Sequence, residues 1–60
     1  MQLFVNNKAI DLLPGMKVIH ALIGAGLDKE LERGKKVYDE WGNEVGLDGE
    51  LTAGIKLFVR

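Results

Sequence analysis

An α+β fold, with a mixed sheet of four to five strands packed on one short helix, is predicted by three features of this 60-residue sequence. Residues destined for opposite faces alternate at both ends of the chain, in "MQLFV" and in "IKLFVR", the period of a half-buried strand. One internal stretch, "MKVIHALIGAGL", instead spaces its apolar residues by three and four, as a helix does. Turn-forming pairs separate these segments, so the elements are short and their order can be read directly.

The first segment, "MQLFVNNKAIDLL", is read as a hairpin. Leu3 and Val5 alternate with Gln2 and Phe4, and Asn6-Asn7 supplies two residues that tolerate the positive φ of a tight primed turn. Ile10 and Leu12 return, alternating with Lys8 and Asp11. Pro14-Gly15 ends the hairpin, because proline cannot donate to a ladder and glycine turns the chain. In the helix, Val18, Ala21, Leu22 and Ala25 form the inward stripe, and Ile19 and Ile23 are expected to widen it. The start carries no Ser, Thr, Asp or Asn cap, so a loosely defined N-terminus is expected. Gly26 is placed to adopt the left-handed C′ conformation, with Leu27 folding back on the last turn. Gly24 weakens that turn by about 1 kcal/mol relative to alanine.

"DKELERG" adds a further helical turn, with Leu31 as a plug into the core and Gly34 as its end. "KKVYDEWGNEVGL" is read as a second hairpin, with Val37, Tyr38 and Trp41 leading to a Gly42-Asn43 turn and Val45 returning. Trp41 is expected to cover one end of the core, the alternative being an exposed indole that serves as a binding anchor. "DGELTAG" is a loop anchored by Leu51. In the last strand Ile55, Leu57 and Val59 share one face, and Lys56, Phe58 and Arg60 the other. The order is hairpin, helix, hairpin, strand. One amphipathic helix and one half-apolar sheet bury each other as two layers, with the first and last strands parallel at the centre. That arrangement is the β-grasp, here as a single domain over residues 1–60.

Composition limits the chemistry. Such a chain buries only about 60% of the surface it exposes when unfolded. There is no cysteine to add a disulfide, and one histidine with no cysteine rules out a protein-only zinc site of the Cys/His kind. No apolar run approaches a membrane span, and no signal peptide opens the sequence, so a cytoplasmic location is the expectation. A formal net charge of −1 argues against broad binding of duplex nucleic acid. Asp39, Glu40, Glu44, Asp48 and Glu50 form an acidic block read as a solvated hairpin edge. Asp39 and Glu50 stand at the first and last positions of a calcium-loop spacing, but Trp41 occupies a ligand position and Glu44 the position that needs glycine. Gly24 to Gly26 follow a helix instead of opening one, so they form no phosphate cradle. His20 has no cysteine, second histidine or serine at a useful spacing and is read as a polar-face helix residue. No catalytic constellation, metal site or cofactor is expected.

"MQLFV", "GNEVGLDGEL" and "IKLFVR" resemble the opening, the late turn region and the closing strand of the ubiquitin-like superfamily. "LLPGMKVIHALIGAGL" is similar to the small sulfur carriers of the ThiS and MoaD type, whose length this chain also approaches. Carrier and modifier chemistry in that superfamily is implied to need a C-terminal Gly-Gly, whose carboxylate is adenylated. Here Arg60 follows the last strand directly, so no carrier residue transfers to a position in this sequence. A carrier or modifier relative whose Gly-Gly tail lies beyond Arg60 is the alternative expectation.

The leading expectation is a non-catalytic protein-interaction module that uses the uncovered sheet face. Phe4, Tyr38 and Phe58 are the outward aromatic candidates, expected to form one row bordered by Lys36, Lys56 and Arg60. The occupant is a protein partner or a second copy of the chain. Stacking of single-stranded bases on these aromatics is disfavoured by the few cations and the nearby acidic hairpin.

Overall fold

The computed structural model describes residues 1–60 and has an α+β architecture. Its elements are β1 (Gln2–Val5), β2 (Lys8–Asp11), α1 (Val18–Ala25), a 3₁₀ helix (Asp28–Arg33), β3 (Val37–Asp39) and β4 (Lys56–Val59). The four strands form one mixed sheet in the order β2-β1-β4-β3. β1 pairs antiparallel with β2 and parallel with β4, and β3 pairs antiparallel with β4.

The β1–β2 turn takes its form from Asn6 and Asn7, which adopt φ of 50° and 68°. Both values lie in the left-handed region that a type I′ turn requires and that asparagine tolerates. Asn6 also extends the central parallel pairing. Its N–H donates to the Leu57 carbonyl at 2.9 Å, and its side-chain Oδ1 accepts from the Val59 N–H at 2.9 Å.

The core lies between α1 and one sheet face. Leu3, Val5, Ile10, Val37, Leu57 and Val59 from the sheet meet Val18, Ala21, Leu22 and Ala25 from the helix. Leu27, Leu31, Val45, Leu51 and Ile55 pack around its rim. Three expectations about this layer are corrected. Ile23 does not widen the buried stripe but is 55% exposed; one helical position on from Leu22, it is turned about 100° away from the buried 18-21-22-25 stripe. Lys8 does not alternate with Ile10. The two share parity, and Lys8 lies opposite Val5 at the exposed end of β2, while Ala9 takes the opposite face beside Phe4. Trp41 covers nothing, being 77% exposed just beyond β3.

The N-terminus of α1 is well defined, by partners far away in sequence. The Val18 and Ile19 N–H groups donate to the carbonyls of Gly49 and Leu47, both at 3.1 Å. These are helix N–H groups that have no partner within the helix itself. His20 Nδ1 accepts from the Lys17 N–H at 2.9 Å, the backward half of a capping box. Gly49 allows the close approach. A Cβ built on it would lie 2.9 Å from the Gly46 carbonyl oxygen and 3.3 Å from both Val18 and Val45 side chains. At the other end, Gly26 has φ 74°, and the Leu27 N–H reaches the Leu22 carbonyl at 2.9 Å, closing a Schellman motif.

The second hairpin is reduced. Its return is a single bridge between Tyr38 and Glu44 and no full strand forms, so the sheet has four strands. The Asp39 carboxylate holds this turn together. Its Oδ1 accepts from the N–H groups of Trp41 and Asn43, each at 2.9 Å. Asp39 therefore shapes the hairpin as well as facing water.

Candidate functional site

The sheet face turned away from α1 is uncovered, and the strand registers place the six residues of interest on it. Tyr38 lies directly opposite Phe58 in the β3–β4 pair. Lys36 and Arg60 extend that pairing by exchanging two backbone hydrogen bonds of 3.0 Å. Phe4 lies opposite Lys56 in the parallel β1–β4 pair. Val37, Leu57 and Val59 point into the core from the same strands, which fixes the outward direction of their neighbours.

The aromatics do not form one row. Phe4 and Lys56 make one rank, Phe58 and Tyr38 the next, and Arg60 and Lys36 the third. The parallel register causes this, because it sets Phe4 against Lys56 and leaves Phe58 two residues further along. Phe4 is thus a diagonal neighbour of Phe58, at a separation that aromatic side chains can bridge. All three aromatics are half-buried.

Arg60 completes the cluster. Its guanidinium carbon lies 5.5 Å from the Tyr38 ring centroid and 5.8 Å from that of Phe58. These separations are within cation–π range. Tyr38, Arg60 and Gly42 line a shallow depression of about 370 Å³ at this end of the sheet. Trp41, immediately before Gly42, stands at its margin in the sequence and offers the most exposed large apolar side chain of the chain.

The charges on this face are unequally satisfied. Lys36 Nζ lies 3.8 Å from Glu44. Arg60 and Lys56 have no Asp or Glu carboxylate within ion-pair distance. Asp39 is engaged by two backbone N–H groups of its own turn. No group of three His, Asp or Glu side chains is placed to hold a metal ion. His20 lies on the helix side of the molecule, where it accepts a backbone hydrogen bond. No helix is long and apolar enough to cross a membrane.

Sequence reasoning left Trp41 open between a lid on the core and an exposed binding anchor, and the structure leaves it 77% exposed. A tryptophan beside a turn glycine signals equally a lid on the core and an exposed anchor; only the Asp39-centred turn, which carries residue 41 past the end of β3, decides between them. Compared with models of known protein families, with curated proteins and with solved structures, the chain has no significant match.

Proposed function

We propose that this chain is a β-grasp domain of the ubiquitin-like kind that acts as a non-catalytic protein-interaction module through its uncovered sheet face. The fold part of this reading is supported by the strand order, with β1 and β4 parallel at the centre and α1 in the crossover between them. The functional part is carried by one observation. Arg60 lies within cation–π range of both Tyr38 and Phe58 and, like Lys56, has no Asp or Glu carboxylate within ion-pair distance.

A structural role alone accounts for part of this arrangement. A cross-strand aromatic pair contributes roughly 0.2–1 kcal/mol to a sheet. It does not account for two uncompensated cations next to half-buried rings, with an exposed tryptophan at the adjoining turn. Aromatic and arginine side chains are the residues that dominate the centres of protein interfaces. The partner is a protein or a second copy of the chain.

The test uses Phe4→Ala and Phe58→Ala. Each is expected to abolish retention of the partner protein while far-UV circular dichroism stays that of the unsubstituted chain. A partner held equally by both folded variants would refute the reading.

A further inference from the structure

We infer that the segment recognised by this face delivers a single carboxylate to Arg60, with a large apolar side chain beside it against Tyr38 and the Trp41–Gly42 turn. The inference rests on the interaction reading above and adds the chemistry of the partner.

Arg60 is prepared for a carboxylate. Its guanidinium carbon lies 5.5 and 5.8 Å from the two ring centroids, within cation–π range, and the side chain makes no hydrogen bond or ion pair within the chain. Its planar fork of N–H donors is therefore unspent, and that fork matches the two oxygens of a carboxylate. Cation–π attraction to the two rings favours rotamers that keep the guanidinium over this face, which lowers the ordering cost on binding. The depression bounded by Tyr38, Arg60 and Gly42 is shallow and open, about 370 Å³, a surface against which a side chain can lie. Gly42 keeps it open, since its φ of 86° disfavours any side chain and nothing lies within 4 Å of where a Cβ would be.

The surrounding charge favours one carboxylate over a chain of phosphates. Lys36 is already paired with Glu44 at 3.8 Å, so the uncompensated cations on this face are Arg60 and Lys56, both on or just beyond β4. Glu40 and Glu44 belong to the adjoining hairpin, where Glu44 pairs only with Lys36 and Glu40 with no cation. A nucleic-acid strand brings a charge with every nucleotide and meets those acids. A peptide brings its charge at one point and its apolar group at another.

The probe is a library of random twelve-residue peptides displayed on phage, selected on the immobilised chain. Enriched peptides are then synthesised and measured by fluorescence anisotropy. They are expected to carry Asp or Glu beside a large apolar residue. Arg60→Gln is expected to weaken them by about tenfold or more, and Arg60→Lys to recover only part of the loss because it lacks the planar fork. Binding is expected to fall as salt is raised.

Enriched peptides that lack a carboxylate, or that bind Arg60→Gln as tightly, overturn the inference. If those same peptides are lost on Phe58→Ala, the interaction face stands and only the carboxylate falls. Peptides indifferent to Phe58→Ala and Phe4→Ala overturn the face itself. No enrichment at all, or tighter binding of a twelve-residue oligothymidylate than of any peptide, also counts against the inference.

Discussion

Gly49→Ala is the substitution that most severely tests how this small fold holds its helix. A Cβ at that position meets the Gly46 carbonyl oxygen at 2.9 Å, a separation too short to persist. The same Gly46 oxygen accepts the Gly49 N–H at 3.0 Å, so the turn cannot tighten to make room. The loop must move, and with it the Gly49 and Leu47 carbonyls that receive the Val18 and Ile19 N–H groups. Each hydrogen bond lost removes about 0.5–1.5 kcal/mol, and contact with the Val18 and Val45 side chains at 3.3 Å adds crowding. The expected loss is about 2–3 kcal/mol. A 60-residue domain has roughly 3–9 kcal/mol in total, so the variant is expected to be partly unfolded at moderate urea. Urea unfolding followed by far-UV circular dichroism measures this. Trp41 fluorescence is the wrong probe, because that ring is already 77% exposed in the folded chain. A loss below about 0.5 kcal/mol would show that the loop does not cap the helix as described.

Other substitutions follow from the same geometry. Gly24→Ala is expected to stabilise by about 0.5–1 kcal/mol, because alanine favours the helix and its Cβ meets Ile10 and Leu12 at ordinary contact distances of 3.4 and 3.9 Å; the urea midpoint should rise. Asp39→Ala is expected to cost about 0.5–1.5 kcal/mol by releasing the Trp41 and Asn43 N–H groups, and Asp39→Asn to cost less because it keeps an oxygen at Oδ1; comparison of the two urea midpoints checks this. Trp41→Ala is expected to change stability by less than about 0.5 kcal/mol, while weakening any partner held at the Tyr38–Arg60 end of the sheet, as read by anisotropy.

What could be read from the sequence follows the range of the interactions. The Asn6-Asn7 turn, the 18-21-22-25 stripe, the Gly26 end of α1 and the alternation through β4 each depend on residues within a few positions of one another. Local chemistry is enough for those. The N-terminus of α1 was not legible, because its hydrogen-bond acceptors belong to Leu47 and Gly49, in a loop that returns only after two further elements. Likewise the outward residues of β1, β3 and β4 could be named from parity. Their alignment could not, because the parallel register that sets Phe4 beside Lys56 is fixed by the crossover and by core packing. The placing of Trp41 depended on its backbone N–H donating to the Asp39 carboxylate, which no periodicity announces. Lys8 was misplaced for a simpler reason. The turn occupies two residues, so the returning strand starts with the parity of Val5, and Lys8 takes the face of Ile10.

Whether the uncovered sheet face is the interaction surface can be measured by site-specific photocross-linking in cells. A photoreactive phenylalanine analogue replaces Phe4 or Tyr38 on that face, or Ile23 on the outer side of α1. A discrete protein adduct is expected from positions 4 and 38 and none from position 23. Adducts from position 23 with none from the sheet face would contradict that assignment.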